Sequence, residues 1–161
     1  MKSCSFTGHR IIPESHIEKL EALLRRAIDF AYAEGCRSFY TGGALGFDTM
    51  AAKQLINYRM RFSDVRIIVA VPCRNQSERW SHSEREMYDY ILANADEVVF
   101  CSDEYTRDCM KKRNEYLANA CDLLIAYSYK YTSGAAQTVR MATALGKEVY
   151  NLYTAIADEN E

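Results

Sequence analysis

Ser38-Phe39-Tyr40-Thr41-Gly42-Gly43-Ala44-Leu45-Gly46-Phe47-Asp48 decides the fold. Its first four residues suit a strand, its centre carries three glycines, and a helical pattern begins at Phe47. This is a strand-to-helix connection, in which glycine permits positive φ and a close approach of the backbone to a ligand. Amides that open a helix have no intrahelical acceptor, so such a turn offers N–H groups to an anion, a nucleotide phosphate first among them. Asp48 falls in the first helical turn, where it either caps the helix or accepts from a ribose hydroxyl, and the sequence leaves both open. The string matches neither Walker A nor the usual dinucleotide fingerprint.

A turn of the same kind, Thr7-Gly8-His9-Arg10, stands near the start of the chain. Outward from these two, short runs of β-formers alternate with longer amphipathic stretches, the pattern of parallel βα units. Strands are expected over 3–7, 38–41, 65–71, 98–101, 123–126 and 149–152, and helices over 14–34, 47–60, 81–94, 106–120 and 134–145. In the first helix Ser15 and Glu18 form a capping box, Ile17, Leu20, Leu24, Ile28 and Ala31 form a stripe, and Gly35 stops it. Ser81 and Glu84 repeat the capping box at the third helix. The continuous apolar run 65–71 reads as a central strand buried on both faces, ended by Pro72.

The fold class that follows is α/β: a single Rossmann-like, doubly wound, mostly parallel sheet of about six strands with helices on both faces. Residues 1–154 make one ligand-binding domain, and 155–161 read as a frayed, solvated tail.

With 161 residues the chain is long enough for one core without disulfide or metal staples. Twenty basic and 22 acidic residues leave a net charge of -2, so no global positive field advertises nucleic acid or an anionic membrane. No apolar run approaches the roughly 20 residues that cross a bilayer, and the N-terminus begins a strand rather than a signal peptide, so a cytoplasmic protein without a membrane partner is expected. The six cysteines form no C-x-x-C pair, which points to reduced, mostly buried thiols rather than a metal site.

In doubly wound sheets ligands bind beyond the C-terminal ends of the strands. The candidates are therefore Thr7, Gly8, His9 and Arg10; Gly42, Gly43, Ala44, Gly46 and Asp48; Arg74 after the third strand; and Ser133, Gly134 and Thr138 after the fifth. Arg10 and Arg74 suit bidentate phosphate contacts, or else pair with neighbouring acids. His9 is an acid/base or a hydrogen-bonded structural histidine. Ser133 is part of a phosphate cradle or simply a cap, and the Thr138 hydroxyl reaches a ligand or bonds a preceding carbonyl. Lys111-Lys112-Arg113-Asn114-Glu115 lies in a helix, where a charge cluster reads as a solvated face. Trp80, Tyr88, Tyr90 and the tyrosines of 127–131 either stack on a base or cover the sheet edge.

Taken together, residues 5–10, 42–48, Lys112-Arg113-Asn114 and 134–138 resemble the SLOG superfamily, and more narrowly its YpsA-like branch, over essentially the whole chain. The resemblance implies a Rossmann-like domain akin to LOG (lysine-decarboxylase-like) proteins and to the Rossmann domain of DprA. It implies a sensor or binding role for a nucleotide or nucleotide-derived ligand (AMP, ADP-ribose or an NAD derivative), no required cofactor, and by analogy a homodimer. By position it assigns to the pocket Gly8, Arg10, Gly42, Gly43, Gly46, Asp48, Arg113 and Asn114, with Ser133, Gly134 and Thr138 as the third glycine-rich element.

LOG enzymes carry P-G-G-x-G-T-x-x-E, whereas Thr138 here is followed by Val139, Arg140 and Met141, so their glutamate is replaced. A phosphoribohydrolase acting on nucleoside monophosphates would need Asp48 or Glu115 as its carboxylate. A DprA-like module for single-stranded nucleic acid is the third reading, with Arg25-Arg26, Lys111-Lys112-Arg113 and the tyrosines as a basic stacking surface, and the net charge argues against it.

Overall fold

A computed structural model describes residues 2–159. Strands β1 (Lys2–Gly8), β2 (Cys36–Thr41), β3 (Arg66–Val71), β4 (Glu97–Phe100), β5 (Leu123–Tyr127) and β6 (Glu148–Asn151) form one sheet in the order β4-β3-β2-β1-β5-β6. Every adjacent pair is parallel, which confirms the Rossmann-like α/β class. The helices are α1 (Glu14–Ala33), α2 (Phe47–Arg61), α3 (His82–Asn94), α4 (Cys109–Ala120), α5 (Gly134–Ala144) and α6 (Leu152–Glu159).

The chain steps from β1 outward to β4, then returns across β1 to β5 and β6. Because parallel crossovers are right-handed, the outward steps lay α1, α2 and α3 on one face and the return lays α4 and α5 on the other. On the first face the α1 stripe of Leu20, Leu24, Ile28 and Ala31 meets Phe6, Phe39 and Ile67 of the sheet. A smaller cluster of Ala118, Cys121, Leu124 and Ala142 closes the second face. All six cysteines are free thiols, and burial pushes the Cys4 thiol well above its ordinary range. Among the described residues no helix is long and apolar enough to cross a membrane.

Several local expectations are corrected. The first helix begins at Glu14 with Pro13 as its N-cap and no side-chain cap, so Ser15 lies inside the helix and the Ser15–Glu18 box does not form; Ile17 is exposed. The Ser81–Glu84 box does form: the Glu84 amide donates to Ser81 Oγ at 3.2 Å and the Ser81 amide donates to Glu84 Oε1 at 2.9 Å. β3 is buried as expected, but it lies next to the edge strand β4, and the middle of the sheet is β2 and β1. α4 starts at Cys109, because the Thr106 hydroxyl donates to Asp108 and holds 106–108 as a turn.

The tail expected to fray from residue 155 instead continues α6 to Glu159; 160 and 161 lie outside the described residues. Leu152 and Ile156, one turn apart, bury against the α1 side of the core, with Ile156 only 1% exposed. The strand expected over 149–152 took in Leu152, which separated this apolar pair. Ile156→Ala should therefore cost about 2–4 kcal/mol in urea unfolding. A loss below about 0.5 kcal/mol would place α6 outside the cooperative unit.

Candidate functional site

β1 and β5 are neighbours whose following helices leave on opposite faces, so a crevice opens beyond their C-terminal ends. A cavity of about 360 Å³ lies there. Thr7, Gly8, His9 and Arg10, then Ala44 and Asp48, then Ser133 and Gly134 line it, with Arg113 and Asn114 from α4. Three connections distant in sequence thus converge on one hollow. Gly42, Gly43, Gly46, Arg74, Glu115 and Thr138 are not among its lining residues.

Asp48 is a buried carboxyl in this wall. It is 4% exposed, and its Oδ2 accepts from the Ala44 amide at 3.2 Å and lies 3.9 Å from Arg113 Nη1. Its Oδ1 is buried without a hydrogen-bond partner. Asp48 is not the helix cap, since Gly46 occupies that position and no side chain caps α2. Burial pushes its carboxyl up to about 6, against the opposing pull of Arg113 and the Ala44 amide.

Arg113 is 7% exposed, far from the solvated face expected of its cluster; its neighbours Lys111 and Lys112 do face solvent. Its Nη1 donates to the Gly42 carbonyl and its Nε donates to Asn114 Oδ1 at 3.0 Å. Asn114 Nδ2 in turn donates to Gln137 Oε1 at 3.0 Å and to the Gly134 carbonyl at 3.4 Å. This network ties α4 to both the β2–α2 turn and the start of α5. It also removes Arg113 from any basic surface.

The glycines of the second turn serve packing more than ligand approach. A Cβ at Gly42 would stand 2.5 Å from Asp48 Oδ2 and 2.6 Å from Arg113 Nη1, so its absence leaves room for that pair. A Cβ at Gly46, where φ is +80°, would stand 2.2 Å from the Arg10 carbonyl oxygen. That clearance lets the two turns dock, and the Phe47 amide donates to the His9 carbonyl at 3.1 Å. The open amides belong instead to α5. Ser133 caps it, its Oγ accepting from the Ala136 amide at 3.1 Å. Gly134 and Ala135, on the cavity wall, occupy the first turn, where no intrahelical acceptor exists. Thr138 is fully buried and donates back to the Gly134 carbonyl at 3.0 Å.

His9 is structural. Its Nε2 accepts from the Tyr129 amide at 2.8 Å and the Lys130 amide at 3.3 Å, which places the ring proton on Nδ1. Burial, with Lys130 nearby, lowers its pKa and keeps it neutral. Arg74 lies away from the cavity, paired with Asp103 at 3.1 Å and stacked over Phe100 at 4.2 Å. Glu115 is exposed on α4 and joins no part of the wall. Tyr127 and Tyr88 are core residues, Tyr129 lines the cavity, and Tyr131 is 81% exposed.

The sequence reading did not single out Met110 or Ile11, and it took Gln137 and Lys130 only as members of longer stretches; all four line the cavity. Helical spacing held the signal for two of them. Met110 lies three and four residues before Arg113 and Asn114, and Gln137 lies four after Ser133, each on the same helix face.

Comparison with known proteins agrees with this architecture. A family model described as the YspA SLOG family matches residues 12–159. A UPF0398 protein of Bacillus thuringiensis (strain Al Hakam) is 25% identical over 167 residues, covering 96% of this chain and 89% of the relative. A second, from Bacillus cereus (strain AH820), is 24% identical with the same coverage. Among solved structures, DNA processing protein A (DprA) of Streptococcus pneumoniae superposes with a TM-score of 0.67 at 18% identity. The match covers 93% of this chain, which spans half of that protein. DprA of Helicobacter pylori, described for its single-stranded DNA binding mode, gives 0.64 at 14% identity, over 99% of this chain and 73% of that one. TM1055 gives 0.60 at 15% identity, over 92% and 72% of the two chains. At these identities the structures establish a shared fold.

Proposed function

The chain belongs to the YspA SLOG family, and from that premise we propose that it binds a nucleotide or nucleotide-derived small molecule in the crevice between β1 and β5. The phosphate sits on the open amides of Gly134 and Ala135, where the N-terminal end of α5 favours negative charge. A ribose hydroxyl donates to Asp48. The observation that carries the reading is the buried, unpartnered Oδ1 of Asp48 on the cavity wall. An ionised buried oxygen without a donor is costly, and a ligand hydroxyl relieves that cost.

Calorimetric titration of the full chain with AMP, ADP-ribose, NAD and cyclic nucleotides tests the proposal. At least one is expected to bind, and an analogue lacking both ribose hydroxyls should bind about tenfold more weakly, the worth of a hydrogen bond to a charged group. Affinity for ADP-ribose should fall as pH drops through about 6, because protonated Asp48 is a weaker acceptor for the ribose hydroxyl than the carboxylate. No heat with any of these ligands would defeat the reading.

Two alternatives are decided by the same material. The position of Asp48, its carboxyl raised to about 6 on the cavity wall, favours a general acid in cleavage of a base–ribose bond. Release of free base from the monophosphates would establish that activity, and none at high protein concentration removes it. A single-stranded DNA partner, suggested by the DprA likeness, would give binding of an oligonucleotide that weakens steeply with salt.

A further inference from the structure

Arg10 lines the hollow at the β1–β5 crevice. Arg10 also lines a second hollow of about 620 Å³, between the loops that follow β3 and β4, together with Trp80, Tyr105, Asn75 and Gln76. A smaller hollow of about 140 Å³ shares Ala44 and Met110 with the first and Trp80 and Tyr105 with the second, and Arg10 borders all three. Among the described residues the Arg10 guanidinium makes no hydrogen bond or ion pair, although Glu84 feels its charge. Arg74, by contrast, is engaged with Asp103.

The second hollow differs in chemistry from the first. Trp80 is held edge-on against buried Tyr88 with ring centroids 5.1 Å apart, and Tyr105 is 70% exposed. The Gln76 side chain is fixed by donation to the Gly43 carbonyl at 2.9 Å. Glu78 and Arg79 on its wall cancel in charge, which leaves Arg10 as its net positive group. Aromatic rings beside side-chain amides suit a planar ring with polar edges. An unengaged guanidinium between such a place and a phosphate-and-ribose site suits a diphosphate, whose oxygens it can grip bidentately.

We propose that the ligand is two-headed, a pyrophosphate-linked dinucleotide: one nucleoside in the β1–β5 crevice, its phosphate on the Gly134 and Ala135 amides, the adjoining phosphate at Arg10, and the second ring against Trp80 and Tyr105. This inference rests on the nucleotide reading above. It adds that a mononucleotide fills only half of the site.

Trp80 is the single tryptophan of the chain, so its emission reports the second hollow directly. The full chain is titrated with AMP and with NAD, read by calorimetry and by tryptophan fluorescence, and the titrations are repeated with Tyr105→Ala, an exposed substitution. NAD should bind about tenfold more tightly than AMP, the gain of one stacked ring, and should change Trp80 emission where AMP does not. Tyr105→Ala should erase most of the NAD advantage and leave AMP affinity unchanged. AMP binding with equal NAD affinity and silent Trp80 emission overturns the two-headed ligand alone, as does a Tyr105→Ala loss shared equally by AMP. Failure of both nucleotides to bind overturns the nucleotide reading and this inference with it.

Discussion

Arg113→Ala is expected to lower the stability of the fold by about 3–5 kcal/mol, the usual cost of removing one partner from a buried ion pair. Among the described residues Arg113 is the cation that counters the burial of Asp48, and its guanidinium also satisfies the Gly42 carbonyl and Asn114 Oδ1. The pH dependence separates this cause from simple loss of packing. Asp48 has a folded-state pKa of about 6 against an ordinary value of 3.8, so the native state holds its proton more tightly than the unfolded chain does. Its contribution is therefore most favourable below 3.8 and is lost as pH rises through about 6, an ionisation cost of about 3 kcal/mol.

Without Arg113 the Asp48 pKa climbs further, and the loss extends to higher pH. Urea unfolding should thus show the gap between wild type and Arg113→Ala narrowing as pH falls from 7 to about 5, where Asp48 of the variant is neutral. His9, whose lowered pKa acts in the opposite sense by favouring the native state above 6.5, is present in both proteins and cancels in the comparison. A gap that stays constant with pH would show that Asp48 and Arg113 are not coupled.

Gly46→Ala should be comparably severe, about 3 kcal/mol or more, and it should act on the site as well as on the fold. The backbone here lies at φ 80° and ψ -121°, which L side chains rarely adopt, and the added methyl would meet backbone carbonyls of His9 and Arg10 at 2.6 Å and 2.2 Å. Backbone cannot swing aside as a side chain does, so the β1–α1 and β2–α2 turns must separate. The Phe47 amide would then lose the His9 carbonyl, and Arg10 and Asp48 would move apart across the cavity. Loss of ligand binding in a variant still folded by circular dichroism is the expected signature. Gly146→Ala is the control: it shares a positive φ of 76° but meets no atom within 4 Å, so only the smaller conformational cost of about 1–2 kcal/mol applies. Equal losses at the two positions would deny the close approach of the turns.

Most of the architecture was legible because its signals are local. Among the described residues the period-two and period-3.6 patterns located six strands and five of six helices, and the sheet proved parallel throughout. The missed α6 shows where that reasoning ends. Two core-facing residues one turn apart in an eight-residue segment are too few to establish a period, and their helix is stabilised by burial against α1. The Ser15–Glu18 box fails for a related reason, since Pro13 already sets the helix start and leaves Ser15 no capping position.

By itself the sequence determined the alternation of strand and helix, the parallel sheet, and the turns that would face its C-terminal rim, because each depends on side-chain periodicity and on glycine within a few residues. Only the tertiary structure decided which charges are buried and which amides stay open. Arg74 and Arg113 are chemically identical, yet one pairs with Asp103 in solvent while the other is enclosed beside Asp48. The physical reason is that burial and hydrogen-bond satisfaction are set by segments far apart in the chain, here β2–α2, α4 and the start of α5, whose approach no local pattern encodes.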